Sequence, residues 1–333
     1  MAVRVFHLKP LSPFHLGEAT GAMDRVGEIA HSDTLFSGLC HAWQRLFGTE
    51  ALESFLASFS AGLPPLRISS AFPYREGGGG EGFTYYLPWP RGSRSFLRLE
   101  DRKLPKRTPF LPLGLFRKFF LEGSGYGMDS QGQVEVSPRD EELLRDEAKR
   151  LREGIRVDTR ISSALCRLTM GAVPYHLSAL AFARGWGLYF LAEGEEETLE
   201  TARGALRLLG DMGLGGDRST GYGGYLLEEG DPSTFGELLR RDTGRFMALS
   251  LVFPGTEERE KLRGSRVGLL ERKGWIDSPQ LRASMRKKRT LMIEEGSVLA
   301  SPLAGALVDV TPGGWPGHKI YRYGIGFYLP LPS

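Results

Sequence analysis

The stretch GLGGDRSTGYGGY, residues 213–225, gathers glycines around a single arginine and contains almost nothing that a protein core would bury. The residues before it, EEETLETARGALRLLGDMG, begin with acidic side chains and end with leucines, which predicts a helix. The segment GYLLEE, which begins at the C-terminal end of the glycine stretch, predicts a strand. A P-loop needs a lysine, a Ser or Thr and then a helix, and a dinucleotide fingerprint needs a strand before it and a helix after it. The helix-to-strand context excludes both.

The same loop is suited to an extended, anionic backbone. Glycine adopts positive φ and permits close approach, and the N–H groups of such a loop can line a concave anion-binding surface. Arg218, Ser219 and Thr220 add one cation and two hydroxyl groups for contacts with phosphate. We therefore predict a nucleic-acid contact here, and the alternative is a glycine-rich turn without a ligand.

The segments upstream of the loop predict a sheet covered by helices. VRVFHLKP alternates as a strand does, and HSDTLFSGLCHAWQRLFG predicts an amphipathic helix with Ser32 or Asp33 as N-cap and Gly48 beyond its end. LRISSAFPY and FTYYLPWP predict two strands, and YHLSALAFA and WGLYFLAE predict a pair of strands joined by RGWG. With one hairpin assigned to an insertion, the order is the βαββαβ of a ferredoxin-like (RRM-like) domain.

We predict an α+β protein with two tandem ferredoxin-like domains. The first spans residues 1–235, with an irregular insertion at about 91–158 that is interrupted by Pro, Gly and charge. After EEGDPSTFGELLRRDTG the pattern restarts with the strand RFMALSLVFPG, the short helix TEEREKLRG and the strands VGLLERKGWID, RTLMIEEGSVL and HKIYRYGIGFYLPLP. Residues 236–333 are thus expected to form a smaller, degenerate copy of the same fold.

Composition restricts the possible functions. The chain has 333 residues, 41% hydrophobic and 25% charged, and a net charge of +3, so nucleic-acid binding has to rest on local basic patches. Cys40 and Cys166 have no partner at metal-ligand spacing, which predicts buried thiols in a reducing compartment and neither metal nor cofactor. The N-terminus alternates instead of running apolar, and no stretch is long enough to cross a membrane. We expect a cytoplasmic protein without a membrane partner.

Several segments resemble those of a known family. HSDTLFSGLCHAW, GLGGDRSTGYGGY and the C-terminal pair EEGSVL and YRYGIGFYLPLP are similar to segments of the RAMP superfamily of CRISPR-associated RNA-binding proteins. The combination looks most like the subunit of type III-A interference complexes that holds the 5′ tag of the guide RNA. The residues that match the family loop are Gly213, Gly215, Gly216, Arg218, Ser219, Gly221 and Gly223, and those that match its helix start are His31, Ser32 and Asp33.

The resemblance implies a fold and a set of partners. It implies tandem ferredoxin-like domains that hold guide RNA (crRNA), a large subunit with polymerase-like and nuclease domains, and an adjacent backbone RAMP subunit. The expected function is a non-catalytic RNA-binding subunit of a type III-A CRISPR complex that holds the 5′ tag and docks the large subunit. The alternative is a metal-independent endoribonuclease that processes CRISPR repeat RNA.

The alternative depends on two histidines. His15 and His31 are candidates for a proton-transfer pair, since related proteins cut RNA without metal by general acid-base chemistry. Both are equally suited to stacking on a base or contacting a phosphate, and we include them among the predicted RNA-binding residues. Asp33 lies in the first turn of the predicted helix, where capping and the helix dipole explain an acidic residue, so we do not interpret it as catalytic.

Two basic clusters complete the predicted RNA-binding residues. Arg156 and Arg160 lie around a predicted hairpin, and Lys287, Lys288 and Arg289 directly precede a predicted strand. A run of charges is commonly only a solvated surface, but consecutive cations are unusual in a chain of net charge +3. The second cluster is therefore the better candidate for a further phosphate contact. The aromatic candidates for stacking on bases are Phe14, Trp186 and Tyr222.

Overall fold

The computed structural model describes residues 1–17, 25–78, 82–93, 97–101, 103–122, 134–165, 168, 170–241, 244–278 and 285–332. The helices are α1 (Ser32–Ser60), α2 (Leu104–Arg107), α3 (Leu113–Phe120), α4 (Pro138–Gly154), α5 (Glu196–Met212) and α6 (Ser233–Leu239). The strands before α6 are β1 (Ala2–Pro10), β2 (Leu66–Ile68), β3 (Phe72–Glu76), β4 (Phe83–Pro88), β5 (Leu97–Arg98), β6 (Phe110–Pro112), β7 (Val134–Glu135), β8 (Ile155–Leu165), β9 (Ala172–Phe182), β10 (Trp186–Gly194) and β11 (Tyr225–Gly230). The strands after it are β12 (Arg245–Ala248), β13 (Leu269–Arg272), β14 (Thr290–Ile293), β15 (Val298–Leu299), β16 (Val308–Asp309), β17 (Tyr321–Arg322) and β18 (Tyr328–Leu331). The mixed content confirms the predicted α+β class.

The largest sheet is antiparallel and contains most of the strands predicted before the glycine loop. Its order is β11–β1–β10–β3–β4–β6, and β2 pairs with β10 beside β3. β1 lies between β10 and β11, and all four residues 5–8 of β1 are buried. The predicted insertion supplies β6, which extends the sheet beyond β4.

The predicted pairing of YHLSALAFA with WGLYFLAE is wrong. The first segment lies in β9, which pairs with β8 along its whole length. The second forms β10, whose edges are already hydrogen-bonded to β1 on one side and to β2 and β3 on the other. Because a strand has only two edges, β9 instead forms a separate hairpin with β8, which begins inside the predicted insertion.

Both faces of the large sheet are covered, because the strands alternate and each face presents apolar side chains. One face buries Phe6, Leu8, Leu188 and Phe190 in a cluster with side chains of α1 and α5. The opposite face buries Val5, Tyr74, Tyr189 and Leu191 in a cluster with side chains of α3, α4, α6, β12 and β18. The predicted insertion and the C-terminal strands therefore complete the core of the sheet.

Helix α1 begins and ends differently from the prediction. Its N-cap is His31, which makes no capping hydrogen bond through its side chain, so the assignment of Ser32 or Asp33 as N-cap is wrong. The chain kinks at Gly48, where φ is +87°, and then continues as helix to Ser60. Aromatic side chains on the two sides of the kink stack with ring centroids 4.2 Å apart, which holds the second segment against the first.

The glycine loop connects α5 to β11, as predicted, and its glycines fit closely against the protein itself. A Cβ atom on Gly215, where φ is +98°, would lie 2.5 Å from the carbonyl oxygen of His15. On Gly223, where φ is +82°, it would lie 2.2 Å from the carbonyl oxygen of Leu214. On Gly221, where φ is +90°, it would meet nothing within 4 Å. Packing of the loop therefore requires glycine at two of these positions, beyond any role in binding.

After α6, several individual elements differ from those that the sequence predicts. The segment TEEREKLRG forms a 3₁₀ turn at Thr256–Leu262. RTLMIEEGSVL splits into β14, which pairs with β13, and β15, which pairs with β12. HKIYRYGIGFYLPLP splits into β17 and β18, which belong to different small sheets. Among the residues described from 244 to 332, the structure thus contains short strands and a 3₁₀ turn.

A buried ion cluster joins the start of α1 to these C-terminal strands. Arg272, the last residue of β13, donates to both carboxylate oxygens of Asp33, from Nε at 3.0 Å and from Nη2 at 2.9 Å. Arg322 of β17 donates to the same carboxylate from Nη1. All three side chains are buried. Asp33 therefore acts as an anchor between α1 and two distant strands.

The charge of Asp33 is stabilised by its partners. Burial alone would raise the pKa of the carboxyl group, but the two guanidinium groups and their hydrogen bonds hold it well below its ordinary value of 3.8. Asp33 is therefore ionised at neutral pH, and the interpretation of this residue as a simple helix cap is replaced by a bidentate ion pair.

Gly215→Ala and Gly221→Ala form a matched pair, because both positions have positive φ but a carbonyl oxygen obstructs only the first. We expect Gly215→Ala to lower the free energy of unfolding by at least about 2 kcal/mol. Gly221→Ala should lower it by about 1 kcal/mol, the cost of a left-handed backbone alone. Urea denaturation followed by circular dichroism measures both, and equal losses would contradict the packing role of Gly215.

Asp33→Asn should destabilise the protein by about 3 to 5 kcal/mol, because it leaves two buried guanidinium groups without their anion. Asp158→Asn removes an exposed carboxylate that lies 3.1 Å from Arg160 and should cost less than about 1 kcal/mol.

Since the pKa of Asp33 is lowered in the folded state, the contribution of Asp33 to the free energy of unfolding is complete above the unfolded pKa of 3.8 and is lost as pH falls further. The difference between wild type and Asp33→Asn in urea denaturation should be constant above about pH 5 and shrink below about pH 4. A difference that does not depend on pH would contradict this assignment.

Candidate nucleic-acid interface

A cavity of about 340 Å³ opens where the glycine loop meets the C-terminal strands. One wall comes from the segment at His15, the first turns of α1 and the glycine loop. The other comes from the residues that follow β13, from Lys287 and from β17. The charged residues of its lining are Asp33, Arg218, Arg272, Lys273, Asp277, Lys287 and Arg322. Segments from both halves of the chain thus build one site.

The cavity carries excess positive charge. Five of the lining side chains are Lys or Arg and two are carboxylates. Asp33 compensates part of the charge of Arg272 and Arg322, but Nε of Arg322 is buried and has no hydrogen-bond partner in the described part of the chain. Burial lowers the pKa of Lys287, and the nearby charges of Arg322 and Arg272 lower it further. Such a cluster favours an anionic ligand that approaches from the open side.

The glycine loop contributes part of its predicted residues to this cavity. Gly213, Gly215, Gly216 and Arg218 line it, whereas Ser219, Thr220, Gly221 and Gly223 do not. Arg218 forms an ion pair with Asp277, whose side chain is 61% exposed. Exposed ion pairs of this kind contribute little free energy, so a phosphate group can replace the carboxylate at low cost.

The loop also presents a backbone donor at the cavity. The N–H group of Gly215, which lines the cavity, makes no hydrogen bond to any residue that the structure describes. The neighbouring N–H of Gly216 is already used, since it donates to the carbonyl oxygen of His15 at 2.9 Å. Free backbone N–H groups beside cationic side chains are the donors expected of a phosphate site.

The two predicted histidines and Ser32 are not brought together in the cavity. His15 lines it and donates from Nδ1 to the carbonyl oxygen of Ser178 at 2.7 Å. His31 lies outside the lining, where Nδ1 is 2.9 Å from a carboxylate oxygen of Glu295. Ser32 is fully buried, and its hydroxyl accepts from the backbone N–H of residue 251. Of the two predicted histidines, His15 therefore lines the cavity and His31 does not.

The two predicted basic clusters are also separated. Lys287 lines the cavity, whereas Lys288 and Arg289 are exposed outside it. Arg156 and Arg160 are exposed on β8. Its partner strand β9 contains Ser178, whose carbonyl oxygen accepts the hydrogen bond from His15. The β8–β9 hairpin therefore adjoins the cavity, and its two arginines lie on the solvent-exposed surface.

Several functional candidates were missed by the sequence analysis. These are His41, Arg272, Lys273, Trp275 and Arg322. Two of the predicted stacking residues are unsuitable, because Phe14 and Trp186 are buried in the core. Tyr222 is half-buried and is not part of the cavity lining. In the part of the chain that the structure describes, no helix combines the length and the apolar character needed to cross a membrane.

Comparison with known proteins supports the resemblance seen in the sequence. A family model described as the RAMP superfamily matches residues 7–225, and one described as the CRISPR Csm4 C-terminal domain matches residues 241–331. The chain is 28% identical over 306 residues to the "CRISPR system Cms protein Csm4" of Mycobacterium tuberculosis, covering 91% of this chain and 90% of that protein. It is 26% identical over 317 residues to the protein of the same name from Thermococcus onnurineus, covering 91% of each.

Solved structures share the fold over almost the whole chain. A chain of the Csm3-Csm4 subcomplex in the type III-A CRISPR-Cas interference complex aligns with a TM-score of 0.63 at 19% identity, covering 99% of this chain and 100% of that one. A chain of the Csm1-Csm4 cassette in complex with cA4 aligns with a TM-score of 0.60 at 20% identity, covering 99% and 98%. The RAMP model covers well over half of the sequence, including the glycine loop, so the predicted resemblance is confirmed and the chain belongs to the RAMP superfamily.

Proposed function

We propose that this chain is a non-catalytic RNA-binding subunit of a type III-A CRISPR interference complex, which holds the 5′ tag of the guide RNA and docks the large polymerase-like subunit. The observation that carries the proposal is the cationic cavity between the glycine loop and the C-terminal strands. Its cations and the unpaired backbone N–H of Gly215 suit the phosphates of a single RNA strand, and base identity would be read by neighbouring side chains.

The partners follow from the relatives. Proteins named Csm4 are similar to this chain over about nine-tenths of its length, and structures with the same fold are those of Csm4 with Csm3 and of Csm4 with Csm1. We therefore assign the large subunit as one partner and an adjacent backbone RAMP subunit as another.

The domain organisation is part of the proposal. The order β11–β1–β10–β3, with α1 and α5 against one face, agrees with the βαββαβ topology of a ferredoxin-like domain in residues 1–235. Residues 236–333 would be a second, degenerate unit. Its short strands and 3₁₀ turn favour a strongly reduced version of that fold.

The predicted proton-transfer pair, His15 and His31, does not meet in the cavity, which supports a non-catalytic role for these two residues. General acid-base cleavage of RNA needs two groups within reach of the same phosphate. His15 faces the cavity with Nδ1 engaged by a carbonyl oxygen, and His31 is held by Glu295 outside the lining. Incubation of the complex with CRISPR repeat RNA in EDTA tests this directly: intact RNA is expected. Cleavage that is lost in His15→Ala or in His31→Ala would instead establish the endoribonuclease alternative.

The binding site itself is tested by a charge-matched pair of variants. Lys287→Gln removes a cation from the cavity, and Lys288→Gln removes the neighbouring cation from outside it. With the large subunit present, Lys287→Gln should weaken binding of tagged guide RNA and flatten the log–log salt slope by about 0.7, the value for one phosphate contact with a single strand. Lys288→Gln should change the slope less.

Guide RNA with a scrambled tag is the control for recognition of the 5′ end. The wild-type complex is expected to prefer the natural tag at every salt concentration, because phosphate contacts alone cannot distinguish the two RNAs. Equal affinity for both RNAs, or equal salt slopes for wild type and Lys287→Gln, would contradict the proposed site.

A further inference from the structure

Trp275 differs from every other tryptophan of the chain in its exposure. Its side chain is 51% exposed, whereas the other tryptophans, Trp43, Trp89, Trp186 and Trp315, are each at most 8% exposed. Trp275 lies just beyond β13 and lines the cationic cavity. A large indole that is left half in solvent beside a binding site calls for an explanation other than core packing.

The indole is held in place although it is exposed. The guanidinium carbon of Arg286 lies 4.9 Å from the ring centroid, which is within the range of a cation–π contact. The backbone around it is paired across the hairpin: Ile276 donates to the carbonyl oxygen of Met285 at 2.8 Å, and Lys287 donates to that of Gly274 at 2.9 Å. Among the described residues, no aromatic ring packs against Trp275. Its position is therefore fixed, and a flat apolar surface remains for a ligand.

The neighbours of Trp275 determine what that ligand would be. Arg272 lies three positions before it in the chain, Lys287 is hydrogen-bonded to the adjacent Gly274 across the hairpin, and both line the same cavity. A phosphate bound by these cations would bring its sugar and base within reach of the indole, which lines the same cavity and is half exposed. Every nucleobase has an apolar π-face, and stacking on an aromatic side chain is the usual way in which proteins hold a base of a single strand.

We infer that Trp275 is a stacking platform for one nucleobase of the RNA, oriented by Arg286 and placed beside the phosphate-binding cations. The inference rests on the proposed RNA-binding function and adds a base contact to the phosphate site. Stacking depends weakly on base identity, so Trp275 contributes affinity and register for the strand, and hydrogen-bonding groups elsewhere would supply discrimination.

The test uses the complex with the large subunit and guide RNA in which 2-aminopurine replaces single bases of the tag. In the wild type, the 2-aminopurine at one position should be strongly quenched by stacking. Trp275→Ala should restore the fluorescence at that position and weaken RNA binding about 5- to 150-fold. Trp275→Phe should recover most of both effects, because it restores an aromatic face. The salt slope should be unchanged in both variants, since neither removes a charge.

Leu291→Ala is the matched control. Leu291 is a 54% exposed apolar residue on β14, in the same hairpin, and it does not line the cavity. Its removal should leave affinity and quenching unchanged. A similar loss in Leu291→Ala and Trp275→Ala would mean that the hairpin fold, rather than the indole, is responsible, and would overturn the inference.

The remaining outcomes separate this inference from the proposed function. If wild type binds tagged RNA and Lys287→Gln flattens the salt slope, but Trp275→Ala changes neither affinity nor quenching, the stacking role is wrong and the phosphate site stands. If Trp275→Ala instead weakens assembly with the large subunit while RNA affinity is kept, the indole is a protein contact and the inference is wrong. If wild type does not bind RNA, both proposals fall.

Discussion

The ion cluster of Asp33 with Arg272 and Arg322 is the interaction on which the site depends. Two buried guanidinium groups would repel each other and lose hydration without a shared anion. The carboxylate neutralises one charge and fixes both groups through hydrogen bonds, so the guanidinium positions are set before any ligand arrives. The same contact joins α1 to β13 and β17. It therefore links the architecture of the chain to the charge of the cavity.

The location of the cavity follows from how the large sheet is covered. In RRM domains, bases stack on the open face of the four-stranded sheet. Here α1 and α5 cover one face, and α3, α4, α6 and the C-terminal strands cover the other. No strand face is left for RNA among the described residues of this sheet. The proposed binding site lies instead at the loop between α5 and β11, where the C-terminal strands approach, and the exposed aromatic surface there comes from a hairpin outside the sheet.

Local sequence patterns predicted most elements of the first part of the fold. The features that they missed depend on contacts between residues far apart in the chain. The helix–loop–strand around the glycines and most strands of the large sheet follow from periodicity and turn residues. The pairing of β9 failed, because nothing in its sequence shows that both edges of β10 are occupied. Asp33 is separated from Arg272 by 239 positions and from Arg322 by 289, so a residue with every local feature of a cap proved to be an ionic anchor. Lys287 was found because cations cluster there, whereas Arg272 and Trp275 stand among ordinary strand residues.

The glycine loop marks the position of the candidate site in the sequence, but it does not show which side chains give the site its charge. Gly215 and Gly223 are required by carbonyl oxygens of the chain itself, which would collide with any side chain. These glycines let the loop fold tightly against the segment at His15, and that fold leaves the N–H group of Gly215, at the cavity, without a hydrogen-bond partner among the described residues. The side chains that give the cavity its charge come mainly from the other half of the protein. The loop is therefore the scaffold of the candidate site, and the C-terminal strands supply most of its charge.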